Sequence, residues 1–150
     1  MKFEFAIVDC LVEKDGKFLL IGEGRPGREG LYNLPGGHVE GNETLVETAV
    51  RETEEESGYK VEITGFLGLY QTVFMERQMN VCGPVFLAKV VGGKAQTSEE
   101  HPEVRWVTAE EFLDLAATGR FWTKYLPVLM RDYLRRGSYP LDAVSSEKLA

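Results

Sequence analysis

The segment of residues 43–57 constrains the fold of this chain most, because it joins a helix signal to an unusual charge pattern. It contains neither Gly nor Pro; Asn42 before it is a good N-cap residue, and Gly58 after it is typical of a helix C-terminus. The sequence therefore predicts a helix over residues 43–57. On a helical wheel its core side is formed by small and apolar residues: Val46, Ala49, Val50, Thr53 and Ser57.

Seven glutamates lie between residues 40 and 56, and the helical wheel separates most of them into two groups. Three are directed toward water: Glu43, Glu47 and Glu54. Three others, at positions i, i+3 and i+4, share one surface beside the core side: Glu52, Glu55 and Glu56.

Carboxylates that share a surface raise one another's pKa, and a hard divalent cation such as Mg²⁺ relieves the repulsion. The spacing of Glu52, Glu55 and Glu56 therefore predicts that the three carboxylates meet at the margin of the core around a cation. The alternative is an ordinary solvated helix face on which Glu47 and Arg51 form an i,i+4 ion pair.

The rest of the chain alternates strand signals with turns and then ends in two helical segments. Apolar, β-branched and aromatic residues predict strands over residues 3–12, 17–23, 31–35, 61–73, 79–91 and 104–107. Asp15 and Gly16 predict a hairpin turn, and Gly36 and Gly37 a flexible turn before the glutamate-rich helix.

Two further helices are predicted near the end of the chain. Thr108 and Glu111 form a capping box that opens a helix to about residue 117, and the last helix covers residues 124–136 with Pro127 in its first turn. The layout predicts an α+β fold with a mixed sheet covered by helices. We expect residues 1–150 to form a single domain whose tail from residue 137 is partly extended.

The acidic composition narrows the classes of partner. The chain has 150 residues, 43% of them hydrophobic, and a net charge of −7 at pH 7. A nucleic-acid backbone binder would need a basic stripe, so no long nucleic acid is expected as a partner. No apolar run reaches the length of a membrane span, so no membrane is expected either. Two cysteines, Cys10 and Cys82, provide no disulfide framework or zinc set and favour a cytoplasmic location.

The loop and helix from Gly37 to Tyr59 resemble the sequence motif of the Nudix (MutT-like) hydrolase family. That motif is a Gly, five residues, a Glu, seven residues, then Arg-Glu, an apolar residue, any residue, Glu-Glu, any residue, Gly and an apolar residue. The chain matches all seven fixed positions: Gly37, Glu43, Arg51, Glu52, Glu55, Glu56 and Gly58. It departs at Thr53, where the family prefers an aliphatic residue. The flanking stretches LYNLPGG and EVRWVTAEEF are also similar, so the resemblance covers most of residues 3–117.

The resemblance implies a fold, a reaction and a metal site. The fold would be the Nudix fold, an α/β/α sandwich with a mixed sheet, in a family where homodimers are common. The family hydrolyses nucleoside diphosphates linked to another group by attack of water on phosphorus, with Mg²⁺ as the usual cation and Mn²⁺ as an alternative. Arg51 would orient Glu52, and Glu43 would support the site. The metal ligands implied by position are the Gly37 carbonyl, Glu52, Glu55 and Glu56.

The general base is left open by the sequence. In some members of the family it is the Glu at the position of Glu52, and in others it comes from a later loop. Glu100 and Glu103 are the preferred loop candidates here, with a solvated acidic loop as the alternative. The expected catalytic set is therefore Glu52, Glu55, Arg51, Glu100 and Glu103.

Several residues outside the motif are candidates for binding the substrate. Arg25 and Arg28 lie in a Gly/Pro loop and could meet phosphates, with a solvated loop as the alternative. His38 could touch the substrate or a metal-bound water, although a hydrogen bond within its own loop is favoured. Three aromatic residues are candidates for stacking on a base or sugar ring, with core packing as the alternative: Tyr32, Tyr70 and Phe74.

Some branches of the family fit the sequence less well than others. The coenzyme A branch has an Arg-rich signature that is absent here, and the branch acting on NAD-capped RNA carries a four-cysteine zinc site. Phe74 and Met75 stand where the ADP-ribose branch carries a Pro, and Glu76 and Arg77 stand where the diadenosine polyphosphate branch carries a Tyr.

A positive resemblance comes from His38 and the ending Tyr139-Pro140-Leu141. Both look like a compact bacterial branch of phosphatases that act on nucleoside di- and triphosphates and on pyrimidine diphosphates. The alternatives are an ADP-ribose or sugar-nucleotide pyrophosphatase, and a Nudix-fold module that binds a nucleotide without cleaving it. Under either enzyme hypothesis the expected partner is a small nucleotide or diphosphate substrate.

Overall fold

The computed structural model describes residues 1–150, and it contains eight strands, three α-helices and one short 3₁₀ turn at Leu141–Ala143. The strands and helices are β1 Lys2–Glu4, β2 Ile7–Lys14, β3 Lys17–Gly22, β4 Tyr32–Asn33, β5 Gly36–His38, α1 Leu45–Ser57, β6 Tyr59–Phe74, β7 Met79–Gly93, β8 Val104–Thr108, α2 Ala109–Ala117 and α3 Leu126–Arg136. The mixed α+β class predicted from the sequence is confirmed.

The strands form a mixed sheet whose larger part is built around β2 and β7. These two strands run parallel, and β1 also pairs with β7 in parallel. β6 pairs antiparallel with β7 along most of its length, while β5 pairs antiparallel with the first residues of β2. β3 turns back from the end of β2 at Asp15–Gly16 and pairs antiparallel with β4 and β8.

The alternation of side chains along β2 explains why helices cover both faces of the sheet. Val8, Cys10 and Val12 pack in one hydrophobic cluster with Ala49 of α1. Leu11 packs in a second cluster that includes buried residues of α2 and α3. Because successive strand residues point to opposite faces, α1 lies on one side of the sheet and α2 with α3 on the other. The α/β/α layer order is thereby confirmed.

The first predicted strand is divided, and the division creates room for β5. Residues 3–12 were expected to form one strand, but β1 and β2 are separate, and β1 pairs only with the start of β7. Ile7, Val8 and Asp9 then pair with Gly36–His38. The flexible turn predicted at Gly36 and Gly37 is therefore wrong, because these glycines are held in a strand by a distant part of the sequence.

The glutamate-rich helix begins two residues later than predicted. Thr44 is its N-cap: the Thr44 hydroxyl accepts from Glu47 N at 3.2 Å, and the Glu47 carboxylate accepts from Thr44 N at 2.8 Å. This reciprocal capping box replaces the predicted cap at Asn42. The helix ends as predicted at Gly58, whose φ of 83° lies in the left-handed region that favours glycine.

The last part of the chain follows the sequence prediction closely. The Thr108 hydroxyl caps α2, although the Glu111 carboxylate accepts from that hydroxyl and not from the Thr108 backbone, so only half of the predicted capping box forms. α3 begins at Leu126 with Pro127 in its first turn. In the tail, Tyr139 exchanges backbone hydrogen bonds with Phe66 of β6. None of the three helices is long and apolar enough to cross a membrane.

Candidate active site

A cleft of about 680 Å³ gathers most of the predicted site residues. Its walls come from the β3–β4 loop, from β5 together with α1, from the loop before β8, and from the β6–β7 hairpin. The predicted residues that line the cleft are Arg25, Arg28, Gly37, His38, Glu52, Glu55, Glu56, Tyr70, Phe74 and Glu100. Tyr32 and Glu103 do not line it, and Arg51 lies behind the glutamates.

Arg51 forms hydrogen bonds to several of the motif glutamates. Arg51 Nη1 donates to Glu52 Oε1 at 2.8 Å and to Glu55 Oε2 at 3.2 Å, and Nη2 donates to the His38 carbonyl at 3.2 Å. Arg51 Nε donates to Glu43. The contact with Glu52 is the one that an orienting role for Arg51 requires.

Glu43 does not face water, contrary to the helical-wheel prediction. Its side chain is 19% exposed and accepts from Arg51 and from the Thr48 hydroxyl. The hydrogen bond from Arg51 lowers the pKa of Glu43 to about 2. Because α1 starts at Leu45, Glu43 precedes the helix, and its side chain can reach along the first turns to Arg51.

The alternative Glu47–Arg51 pair is also wrong. The Glu47 carboxylate accepts from Thr44 N, and its other strong partner is Lys148 Nζ at 2.8 Å. Because Glu47 does not bind Arg51, the Arg51 guanidinium is available to the carboxylates that border the cleft. The glutamate-rich helix is therefore not an ordinary solvated face.

Glu56 is held by groups outside its own helix. Glu56 Oε1 accepts from Gly36 N at 2.7 Å, and Glu56 Oε2 lies 2.7 Å from His101 Nε2. Both Glu56 and His101 are buried. The hydrogen bond to Glu56 raises the pKa of His101. The Glu56 carboxylate thereby connects α1 to β5 and to the loop before β8.

The three motif carboxylates do not converge as closely as the spacing predicted. No three His, Cys, Asp or Glu side chains in the structure are arranged closely enough to hold a metal ion. The Glu52 and Glu55 carboxylates form ion pairs with Arg51, whereas the Glu56 carboxylate contacts Gly36 N and His101 Nε2. The i, i+3, i+4 spacing fixes the shared surface, and these partners fix the directions of the carboxylates.

The chemistry of the donor set nevertheless fits a hard divalent cation. Burial raises the pKa of Glu52, and the negative charges of Glu56 and Glu55 add to that effect against the hydrogen bond from Arg51. The carboxylates are thus crowded and partly desolvated on one wall of the cleft. A divalent cation favours oxygen donors of this kind, and its charge would relieve the repulsion among them.

The floor beside Glu52 and Glu56 consists of backbone, because β5 begins with two glycines. A Cβ atom on Gly36 would lie 2.4 Å from the Val8 carbonyl oxygen, which belongs to the paired strand and cannot move aside. A Cβ atom on Gly37 would lie 2.5 Å from Glu52 Oε1 and would displace that carboxylate. The glycines therefore let the strand approach the carboxylates directly.

Two of the predicted site residues bind one another instead of facing the cleft. Tyr32 is buried, and its hydroxyl donates to Glu103 Oε2 at 2.8 Å and accepts from Arg105 Nη1 at 3.3 Å. The core alternative for Tyr32 is therefore the correct one. Glu103 is removed from the cleft by the same contact, whereas Glu100 is exposed and lines it.

His38 and the remaining aromatic candidates lie at the cleft. His38 is exposed, and its Nε2 lies 3.3 Å from Glu4 Oε2 of β1, so the predicted bond within its own loop is wrong. Phe74 and Tyr70 line the cleft. The Tyr70 ring stacks on Tyr125 with centroids 5.0 Å apart.

Several residues at the cleft were not predicted from the sequence, among them Asp9, Glu23, His101 and Tyr125. Asp9 is buried in β2, and the Tyr125 hydroxyl donates to it. Glu23 is buried, 3.5 Å from Arg25 Nε, and its Oε2 and His101 Nδ1 have no hydrogen-bond partner within the protein. The available signal was a charged or ionisable residue inside an apolar run, as at Asp9, or among glutamates, as at His101.

Comparisons of the sequence with known proteins all point to one family. A sequence model of the NUDIX domain matches residues 4–127. The chain is 33% identical over 128 residues to the ADP-ribose pyrophosphatase of Methanocaldococcus jannaschii, covering 85% of this chain and 72% of that protein. It is 30% identical over 139 residues to phosphatase NudJ of Escherichia coli strain K12, covering 91% of this chain and 88% of that protein.

A solved structure shares the fold along nearly the whole chain. The NUDIX hydrolase from Nitrosomonas europaea superposes with a TM-score of 0.84 at 24% sequence identity, and the match covers 95% of this chain and 96% of that one. At this level of identity the similarity establishes the fold.

Proposed function

Because this chain belongs to the Nudix family of hydrolases, we propose that it cleaves the diphosphate linkage of a nucleoside di- or triphosphate or of a related nucleoside-diphosphate compound. Members of the family generally need a divalent metal ion and act on small nucleotide-derived substrates. The observation that carries the proposal is that Glu52, Glu55 and Glu56 share one cleft with Arg25 and Arg28. Carboxylates suited to a cation and guanidinium groups suited to phosphates therefore line the same space.

Mg²⁺ is the proposed ion, with Mn²⁺ as the alternative, and the motif residues of the cleft wall would hold it. The proposed ligands are Glu52, Glu55, Glu56 and the Gly37 carbonyl. When bound, such an ion would neutralise the charge that develops on the diphosphate oxygens. Arg51 supports these ligands, since its hydrogen bonds keep Glu52 and Glu55 on the same wall.

The proposed reaction is attack of water on a phosphorus atom with cleavage of the P–O bond of the linkage. Glu52 is the first candidate for the base that takes the proton from water, because burial raises its pKa above that of an exposed glutamate. Glu100 is the loop candidate that remains at the cleft. Glu103 is not proposed, because Tyr32 holds it elsewhere.

Two neighbouring substrate classes are supported by the relatives. The features that resemble the compact bacterial phosphatase branch, His38 and Tyr139-Pro140-Leu141, favour nucleoside di- and triphosphates or pyrimidine diphosphates, and the similarity to phosphatase NudJ agrees with a phosphatase. The similarity to an ADP-ribose pyrophosphatase favours ADP-ribose or, as a related diphosphate, a sugar nucleotide. His38 at the rim is a proposed substrate contact in either case. We further propose a single domain over residues 1–150, a homodimer and a cytoplasmic location, the last consistent with two free cysteines.

The decisive experiment is release of phosphate or nucleotide from a panel of nucleoside di- and triphosphates, sugar nucleotides and ADP-ribose in the presence of Mg²⁺. We expect turnover of at least one substrate and a loss of about 10²- to 10⁴-fold in kcat for Glu52→Gln if Glu52 is the base. Glu54→Gln is the matched control, because Glu54 is an exposed residue of the same helix and does not line the cleft.

Comparison of Glu100→Gln with Glu103→Gln separates the two loop candidates, and we expect only the first to change kcat. Failure of the intact protein to release product from any member of the panel would contradict the enzyme proposal. Nucleotide binding without turnover would then support the alternative of a binding module.

A further inference from the structure

Two arginines and a tryptophan at the cleft form a group whose combined role the proposed reaction leaves open. The Arg28 guanidinium lies 4.1 Å from the centroid of the Trp122 ring, and the Arg77 guanidinium lies 4.4 Å from the same centroid. All three residues line the cleft. We call Arg28, Arg77 and Trp122 the rim cluster.

No ion pair neutralises the positive charge of the rim cluster. Neither the Arg28 nor the Arg77 side chain forms a salt bridge or a hydrogen bond, although the chain has 24 acidic residues against 17 Lys and Arg. Burial lowers the pKa of Arg28, and the charges of Arg25 and Arg77 add to that effect against the negative charge of Glu23. Two like charges therefore lie close together, held by cation–π contact with one ring.

The rim cluster is built from different segments than the glutamate wall. Arg28 belongs to the β3–β4 loop, Arg77 to the β6–β7 hairpin turn and Trp122 to the connection between α2 and α3. No ion pair joins these residues to Glu52, Glu55 or Glu56. The cleft thus has two separate charged regions, a negative one suited to a metal-bound diphosphate and a positive one suited to an anion.

We propose that the rim cluster binds a terminal phosphate group of the substrate, one that lies outside the diphosphate linkage being cleaved. A guanidinium presents a planar fork of donors that matches phosphate oxygens, and Arg28 and Arg77 have their donors free. Since both guanidinium groups already lie over the Trp122 ring, this ring supports the arginines and does not stack on a base. The inference rests on the proposed hydrolase function and narrows its substrate class toward triphosphates.

The kinetic test uses two substrates that share adenosine diphosphate and differ at the far end, ATP and ADP-ribose. We expect Arg28→Ala/Arg77→Ala to lower kcat/KM for ATP about 10- to 100-fold more than kcat/KM for ADP-ribose, the range expected for lost hydrogen bonds to a charged group. Arg131→Ala is the matched control, because Arg131 is exposed on α3 and away from the cleft. An equal loss for both substrates overturns the proposal.

A binding measurement keeps this inference distinct from the hydrolase proposal. Inorganic tripolyphosphate is titrated into the protein by calorimetry in the presence of EDTA, so that neither turnover nor a metal contributes. We expect saturable binding by the wild type and by Arg131→Ala, and loss of binding in the double variant. The terminal-phosphate subsite is wrong if tripolyphosphate fails to bind the wild type or binds the double variant equally well, whether or not the protein hydrolyses nucleotides.

Discussion

Asp9 shows how a single residue can link the core to the cleft. It lies in β2 between Val8 and Cys10, which are fully buried, and its only strong partner is the Tyr125 hydroxyl. Burial raises the pKa of Asp9 to about 7, and the negative charge of nearby Glu56 adds to the effect against the hydrogen bond from Tyr125. A carboxyl group in this position is easier to bury in its protonated form.

This position predicts a pH dependence of stability. Because the folded-state pKa of about 7 lies above the ordinary value of 3.8, the folded protein binds more protons than the unfolded chain between these values. The free energy of unfolding therefore falls as pH rises from about 4 to about 7, as far as Asp9 contributes to it. We expect Asp9→Asn to remove this fall and to exceed the wild type by roughly 2–4 kcal/mol at pH 8 in urea denaturation with EDTA.

Asp114→Asn is the control for this measurement, because Asp114 is exposed on α2. We expect it to follow the wild-type profile. Parallel stability profiles for Asp9→Asn and the wild type would show that the Asp9 carboxyl does not titrate between its unfolded value and neutrality.

Among the elements, α1 carries both the first fold signal and most of the site. Its N-terminus is fixed by the reciprocal bonds between Thr44 and Glu47, and its start at Leu45 leaves Glu43 outside the helix, where it reaches Arg51. The cap therefore sets more than the stability of the helix, since it also determines which glutamate reaches the arginine behind the cleft.

Thr44→Ala and Asn42→Ala together test where the helix is capped. Removing the hydroxyl that accepts from Glu47 N should lower the free energy of unfolding by about 1 kcal/mol, as for other N-cap threonines. Asn42 is exposed and forms no side-chain hydrogen bond, so Asn42→Ala should leave stability unchanged. Chemical denaturation of both variants measures the difference, and the opposite order would restore Asn42 as the cap.

Sequence patterns predicted the elements well where the signal was local. The hairpin at Asp15–Gly16, the end of α1 at Gly58 and the shared surface of the motif glutamates all follow from residues close together in the chain. The formation of β5 could not be predicted, because Gly36 and Gly37 have no strand preference and are held by pairing with β2.

The same difference between local signals and distant contacts explains which features of the site could be predicted. The spacing of Glu56 places it beside the cleft, but its bond to His101 joins residues 45 positions apart in the sequence. The contact that removes Tyr32 and Glu103 from the cleft spans 71 positions. Helical spacing reports a shared surface, whereas the direction of each side chain depends on such distant partners.

For the molecule as a whole, metal binding should be coupled to folding stability. An ion that binds the folded chain and not the unfolded one stabilises by about 2.7 kcal/mol at a hundred times its Kd. For a chain of this size we expect Mg²⁺ or Mn²⁺ to raise Tm by roughly 5–10 °C at that concentration, and EDTA to reverse the rise.

Variants of α1 locate the ion within the molecule. Glu52→Gln/Glu55→Gln should lose most of the metal-dependent rise in Tm, while Glu54→Gln should keep it, because Glu54 does not line the cleft. Thermal scans with and without the metal supply the measurement. The same rise in all three proteins would place the ion away from the proposed ligands.

The two glycines of β5 divide the cleft into a part that tolerates substitution and a part that does not. At Gly36 any side chain meets the backbone of the neighbouring strand, and at Gly37 it displaces Glu52. The rim residues Arg28, Arg77 and Trp122 lie in loops and a turn, where no such restriction applies. We therefore expect substitutions of the rim residues to alter the proposed phosphate subsite without disturbing the fold, whereas a side chain at Gly36 or Gly37 would disturb the strand beneath the carboxylates.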